Sequence, residues 1–216
     1  RTEQGISEIH WSLGLARAAG GIPTEESPHI FRDDANLATP AKWRLEGNEY
    51  VILHPGSESS VPYKRWPVAR FAKVAEALAW NGYTVVVTGR ADEKALAGAF
   101  PKNDRCKLLF GQTTLDDLIG LVSFCRLLIT SDTGPSHIAG ALHRPCIAIT
   151  GFADPKIYHP YPAPHRALYH PIPCSPCFGS AFDPRDCPYH SCLKTISVEE
   201  VLSHAEVLLA NAKPPI

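Results

Sequence analysis

From Tyr50 onward, short apolar runs alternate with amphipathic stretches, and this alternation restricts the chain to very few architectures. The runs are YVILH (50–54), YTVVVTG (83–89), Lys107–Phe110, RLLIT (126–130) and CIAIT (146–150). They are apolar almost throughout rather than at every second position, as expected of strands covered on both faces. Between them lie VARFAKVAEALAWNG (68–82), with Phe71, Val74, Ala75 and Leu78 at helical spacing, a helical stretch at 92–99, and TLDDLIGLVSF (114–124) with Thr114 as its cap. A last helix begins at Ser197, has Glu200 three residues on as a capping box, and runs to about Ala210. Strands that alternate with helices in this way predict an α/β fold, a doubly wound parallel sheet. Upstream, residues 7–19 have helical spacing of Ile9, Leu13 and Ala16 and stop at Gly20-Gly21. Residues 22–48, with Pro23, Pro28 and Pro40, read as a connector.

The totals exclude several classes. With 216 residues, 44% of them hydrophobic, the chain can bury a core, and a net charge of -1 gives no bulk attraction to nucleic acid or anionic membranes. No run reaches the roughly 18 apolar residues of a spanning helix, and no signal peptide opens the chain, so a soluble protein is expected. The sequence begins with Arg1 and contains no Met, which predicts a fragment of a longer product. Cys106, Cys125 and Cys146 sit in or beside apolar segments and read as small packing residues, a usage suited to a reducing cytosol.

In doubly wound sheets, ligands bind outside the carboxyl ends of the strands. The richest such junction is SDTGPSHIAGALHRP (131–145). A helix starting near Pro135 presents unpaired amides and a favourable dipole to an anion. Gly134 permits close approach, Thr133 adds a hydroxyl donor, and His137 in the first turn can donate to a phosphate oxygen. Asp132 would repel a phosphate at contact and is expected to face sugar hydroxyls. The plainer alternative makes Asp132 or Thr133 a helix cap and His137 a surface residue. In HPGSESSVPYKRWP (54–67), Gly56 frees backbone, Ser57 offers a hydroxyl and Lys64 a point charge, while Arg65 reads as a solvated charge and Trp66-Pro67 as a staple on the next helix. Glu93, four residues past Gly89, suits ribose hydroxyls or merely a helix first turn. Thr113 and Thr114 precede another helix, and capping accounts for one of them. Neither GxGxxG nor GxxxxGK[ST] is present, which argues against a dinucleotide oxidoreductase and a P-loop NTPase. What remains is a set of loops suited to diphosphate, ribose and sugar, a nucleotide-sugar site.

In their order, HPG (54–56), KRWP (64–67), G-x-x-x-E (89–93), TTLDDL (113–118), SDTGPSHIAGAL (131–142) and P-x-I-A-I-T-G (145–151) resemble the glycosyltransferase family 9 heptosyltransferases of lipopolysaccharide core assembly. The resemblance implies the GT-B architecture of two Rossmann-like domains, of which this chain would be the C-terminal, donor-binding half. It divides the chain into an interdomain helix and linker (1–48) and a Rossmann-like nucleotide-sugar-binding domain (49–216). It implies an inverting transfer from ADP-heptose, with no cofactor and no metal. The diphosphate would lie on Lys64 and the Thr133–Gly134 backbone, the ribose on Glu93, and Asp132 and His137 by the sugar and phosphates. Gly56, Ser57 and Thr113 complete the donor set. The general base and the lipid-linked saccharide acceptor would belong to the N-terminal domain, which has no counterpart here. The intact enzyme would work at the cytoplasmic face of the inner membrane, docked through that other half, because this part lacks a basic amphipathic helix.

The segment PCSPCFGSAFDPRDCPYHSCL contains Cys174, Cys177, Cys187 and Cys192. C-x2-C has zinc-ribbon spacing, although C-x4-C is looser, so structural zinc, reduced packing thiols and disulfides all remain open. Two other functional readings stand beside the enzyme: a non-catalytic nucleotide-binding module, and a C-x-x-C zinc or redox adaptor.

Overall fold

The computed structural model describes residues 7–25, 27–30, 40–45, 50–162, 164–180 and 183–212. Six parallel strands form one sheet: β1 (Tyr50–His54), β2 (Thr84–Gly89), β3 (Cys106–Phe110), β4 (Leu127–Ser131), β5 (Cys146–Ile149) and β6 (His165–Leu168). Their order across the sheet is β3-β2-β1-β4-β5-β6. The helices are α1 (Glu8–Ala18), α2 (Val68–Trp80), α3 (Leu115–Phe124), α4 (Gly134–Ala141), α5 (Pro155–Tyr158), α6 (Ser191–Lys194) and α7 (Val198–Asn211).

Alternation along β1 shows why both faces need helices. Val51 and Leu53 pack with Phe71, Val74 and Leu78 of α2 and Val201, Ala205 and Leu208 of α7. Tyr50 and Ile52 point the other way, towards Leu121 and Val122 of α3 and Ala139 of α4. Each core Leu or Ile contributes about 2–5 kcal/mol relative to Ala. Trp66 is buried at the start of α2, edge-on to Phe71 at 5.0 Å, and its Nε1 donates to Ile196 O at 3.1 Å. It is the staple that its position suggested.

The five anticipated strands form, and Cys106, Cys125 and Cys146 are buried among them. Other details differ. Residues Ala91–Ala99 form a 3-10 helix. β6, with a half-buried His165 and an exposed Arg166 at the sheet edge, has no apolar run to announce it. At α7 the Glu200 amide donates to Ser197 Oγ, but the Glu200 carboxylate meets His170 Nε2 at 2.9 Å instead of closing the capping box. Thr114 and Asp117 do form a reciprocal box. Lys42 Nζ reaches Asp117 Oδ1 at 2.6 Å, and Leu45 is buried against the sheet, so residues 40–45 are anchored to the strand layer.

The sheet order reverses between β1 and β4, and the loops leaving these two strands lie side by side. The candidate residues gather there.

Candidate functional site

The loop after β1 is organised around one carboxylate. Glu93 is only 3% exposed. Its Oε1 accepts from the Ser57 amide at 2.8 Å and from Arg65 Nη2 at 3.1 Å, and its Oε2 accepts from the Arg90 amide at 2.9 Å. Gly56 is obligatory beside it, because a Cβ there would lie 2.2 Å from the carboxylate. Arg65 also donates to Ser57 O at 2.8 Å and Ser57 Oγ at 3.0 Å, while that hydroxyl donates to Val61 O. The expectation of a solvated Arg65 is corrected: its guanidinium ties the loop after β1 to that after β2. Glu93 and Ser57 are likewise held by hydrogen bonds within the chain itself. Below this brace, His54 contacts Thr88 Oγ1 at 2.9 Å, and burial lowers its pKa to about 4 despite the nearby Glu93 charge.

The loop after β4 is arranged differently. Lys64, Asp132, Thr133, Gly134 and His137 line a common cavity of about 210 Å3 with Phe152, Ala153, Tyr158 and Phe178. The Trp66 amide donates to Ser131 Oγ at 3.2 Å, fastening the loop that carries Lys64 to the end of β4. Lys64 Nζ then lies 3.9 Å from Asp132 Oδ2 and 5.0 Å above the Phe152 ring. Burial raises the Asp132 pKa, opposed by Lys64 and His137. His137 keeps an exposed edge, yet the protein packed around its ring lowers its pKa, with Asp132 opposing the fall and Lys64 and His159 adding to it.

Neither capping alternative holds at this junction. Thr133 is the N-cap residue, but its side chain makes no capping bond. Its hydroxyl bonds back into the sheet, 3.1 Å from Thr130 Oγ1 and 3.2 Å from Ser131 O, rather than standing free for a ligand. The Asp132 amide donates to Ile149 O, which fixes the turn and leaves the carboxylate directed at Lys64. Gly134 is exposed, and a Cβ added there would meet nothing within 4 Å. No packing within the protein demands glycine there, whereas a ligand on the helix amides would. The Gly134 amide has no intrahelical partner by its position. Thr113 is partly exposed just ahead of the α3 cap and does not line this cavity.

The cavity's aromatic wall was not anticipated. Phe152 sits 5.1 Å from Tyr63 and 5.0 Å from Phe178, which is 5.3 Å from Tyr158. Phe152 follows the Gly151 that ends the last internal strand motif, so its place in a strand-end loop was the available signal. Phe178, from the cysteine-rich loop, had none.

All four cysteines of that loop are free thiols, and among the described residues no three His, Cys, Asp or Glu side chains are disposed to hold a metal. The thiols differ in how far they pack into the protein: Cys174 is exposed, whereas Cys177, Cys187 and Cys192 are partly buried. Cys192 supplies the clearest case, lying where a Cβ on Gly151 would meet its Sγ at 2.5 Å. Burial raises the pKa of Cys177 and Cys192, and the neighbouring thiols of the loop add to the rise.

A family model described as glycosyltransferase family 9 (heptosyltransferase) matches residues 7–184. Lipopolysaccharide heptosyltransferase 2 of Salmonella typhimurium is 30% identical over 224 residues, covering 94% of this chain and 60% of that protein. The structure of the E. coli ADP-heptose lipopolysaccharide heptosyltransferase II superposes with a TM-score of 0.71 at 27% identity, over 92% of this chain and 58% of the other. E. coli heptosyltransferase WaaC with ADP shares the fold, with a TM-score of 0.61 at 20% identity over 90% of this chain and 54% of that one. The chain thus spans well under two thirds of the length of these relatives.

Proposed function

Because the chain belongs to glycosyltransferase family 9, we propose that it forms the donor-binding half of an inverting heptosyltransferase that takes ADP-heptose in lipopolysaccharide core synthesis. One observation carries this reading: Lys64, Asp132, His137 and the start of α4 surround a single cavity at the switch point of the sheet. Its 210 Å3 is below the roughly 300–1,000 Å3 of a complete small-molecule site, as befits one wall of a cleft.

The chemistry follows from charge. When an acceptor hydroxyl attacks the anomeric carbon, the bond to the diphosphate breaks and negative charge grows on the leaving oxygen. Lys64 and the unpaired amides at the start of α4 lie where they can stabilise that charge, and His137 can donate to a phosphate oxygen. No cofactor enters this step. Asp132, repelled by the phosphates, accepts from sugar hydroxyls and keeps Lys64 oriented. Glu93 and Arg65 hold the floor rigid, and Gly56 and Ser57 belong to the same floor. The base that deprotonates the acceptor hydroxyl and the main acceptor-binding surface belong to the partner domain of the intact enzyme, at the inner face of the membrane. Among the described residues no helix is long and apolar enough to cross a membrane.

Calorimetry with ADP, UDP and ADP-heptose tests the reading. ADP and ADP-heptose should bind and UDP should bind more weakly; absence of any nucleotide binding would overturn it.

A further inference from the structure

A second cavity, of about 550 Å3, adjoins the first and shares Phe152 and Phe178 with it. One turn, Pro62–Lys64, serves both: Lys64 lines the smaller cavity, and its neighbour Tyr63 lines the larger. The far side of the larger cavity is formed by Asp183 and Arg185. These two side chains are locked in a bidentate pair, with Arg185 Nε 2.9 Å from each Asp183 oxygen and Nη2 2.5 Å from Oδ2. Tyr63 is close enough to Arg185 for the two to interact electrostatically.

The aromatic wall is fixed before anything binds. Both the Cys177 and Phe178 amides donate to Phe152 O at 3.0 Å, and Ser175 Oγ donates to Gly151 O, so the cysteine-rich loop is fastened to the loop after β5. Phe178 nevertheless remains 53% exposed. A large aromatic surface held rigidly in the open, facing a carboxylate–guanidinium pair, presents an apolar platform opposite paired acceptors and donors. A pyranose ring has complementary surfaces: C–H groups on one face, and vicinal hydroxyls that both donate and accept along its rim. The ion pair carries no net charge, which favours hydroxyls over a phosphate or a free carboxylate.

Resting on the donor-binding reading, we propose that this trough is a saccharide subsite for the acceptor, in which a sugar ring stacks on Phe178 and Phe152 and its hydroxyls engage Asp183 and Arg185. Position supports the assignment. An acceptor must present its hydroxyl beside the donor's anomeric carbon, and the trough shares Phe152 and Phe178 with the donor cavity. The donor half therefore recognises part of the acceptor itself.

The test is an NMR titration of the full chain, with the side-chain signals of Phe178, Tyr63 and Arg185 resolved, using delipidated lipopolysaccharide inner-core oligosaccharide in the presence and absence of saturating ADP. The oligosaccharide should shift those signals whether or not ADP is bound. Asp183→Asn and Arg185→Gln, both on the side of the trough away from the donor cavity, should each weaken it about five- to tenfold while leaving ADP affinity within twofold. Competition between ADP and the oligosaccharide would overturn the proposal by making the trough part of the donor site. Undiminished saccharide binding in both variants, or no shift at these residues, would overturn it as well. Failure of ADP to bind would instead strike the donor reading, and the ADP-free titration would still decide the trough.

Discussion

The two loops flanking the switch point are built to opposite specifications. After β1, the Glu93 carboxylate receives two backbone amides and a guanidinium, and the chain itself satisfies the buried polar groups. After β4, Asp132 is nearly as buried, yet its cation stands 3.9 Å away and its pKa is driven up by desolvation. A carboxylate engaged in this way braces a structure, whereas one left short of partners is held ready for a ligand, at some cost in stability. The same contrast separates the two glycines: Gly56 is required by Glu93, and Gly134 by nothing within the protein.

Breaking the brace should have the largest effect. Glu93→Ala removes the acceptor of Arg65, of the buried Ser57 amide and of the partly buried Arg90 amide, and should cost about 3–5 kcal/mol, read by urea unfolding. A loss under about 1 kcal/mol would erase the distinction between the loops. His54, beneath the brace, sharpens the comparison through pH. Its folded pKa of about 4 lies below the ordinary 6.5, so its contribution is complete above pH 6.5 and is lost as pH falls towards 4. The loss should approach about 3 kcal/mol. His54→Gln should flatten the wild-type decline between pH 6.5 and 4, and an unaltered decline would assign it to other groups.

The β4 loop should show the reverse behaviour, with small effects on folding and clear effects on ligands. Lys64→Ala should weaken ADP and ADP-heptose alike by about 1.5–3 kcal/mol, because both carry the diphosphate. Loss for only one ligand in calorimetry would displace Lys64 from that role. Asp132→Asn should have the smallest effect. ADP should bind as well or slightly better, and ADP-heptose should weaken by about 1 kcal/mol as the hydroxyl contacts lose their charge. Equal losses for both ligands would place Asp132 in the nucleotide half of the site.

Much of this was legible in the residues. Unbroken apolar runs identify strands covered on both faces, and a Ser-Asp-Thr-Gly-Pro-Ser-His string at a strand end marks a candidate ligand site, because helix amides and strand order follow from local rules. Lys64, Asp132, Thr133, Gly134 and His137 do meet around one cavity, as that pattern implied. Which polar residues are left open to a ligand was not legible. Arg65 and Lys64 are neighbours of the same charge, and only the packing of two loops decides that one is bound by Glu93 while the other faces the cavity. Glu93 itself suited a ribose by position and is buried because Gly56 lets it in. Phe178, 26 residues beyond Phe152, reaches the site only because its amide finds Phe152 O. Periodicity and capping act between residues a few positions apart and are therefore written in the sequence. Burial and partner choice depend on segments brought together from distant parts of the chain, and these the tertiary structure alone decides.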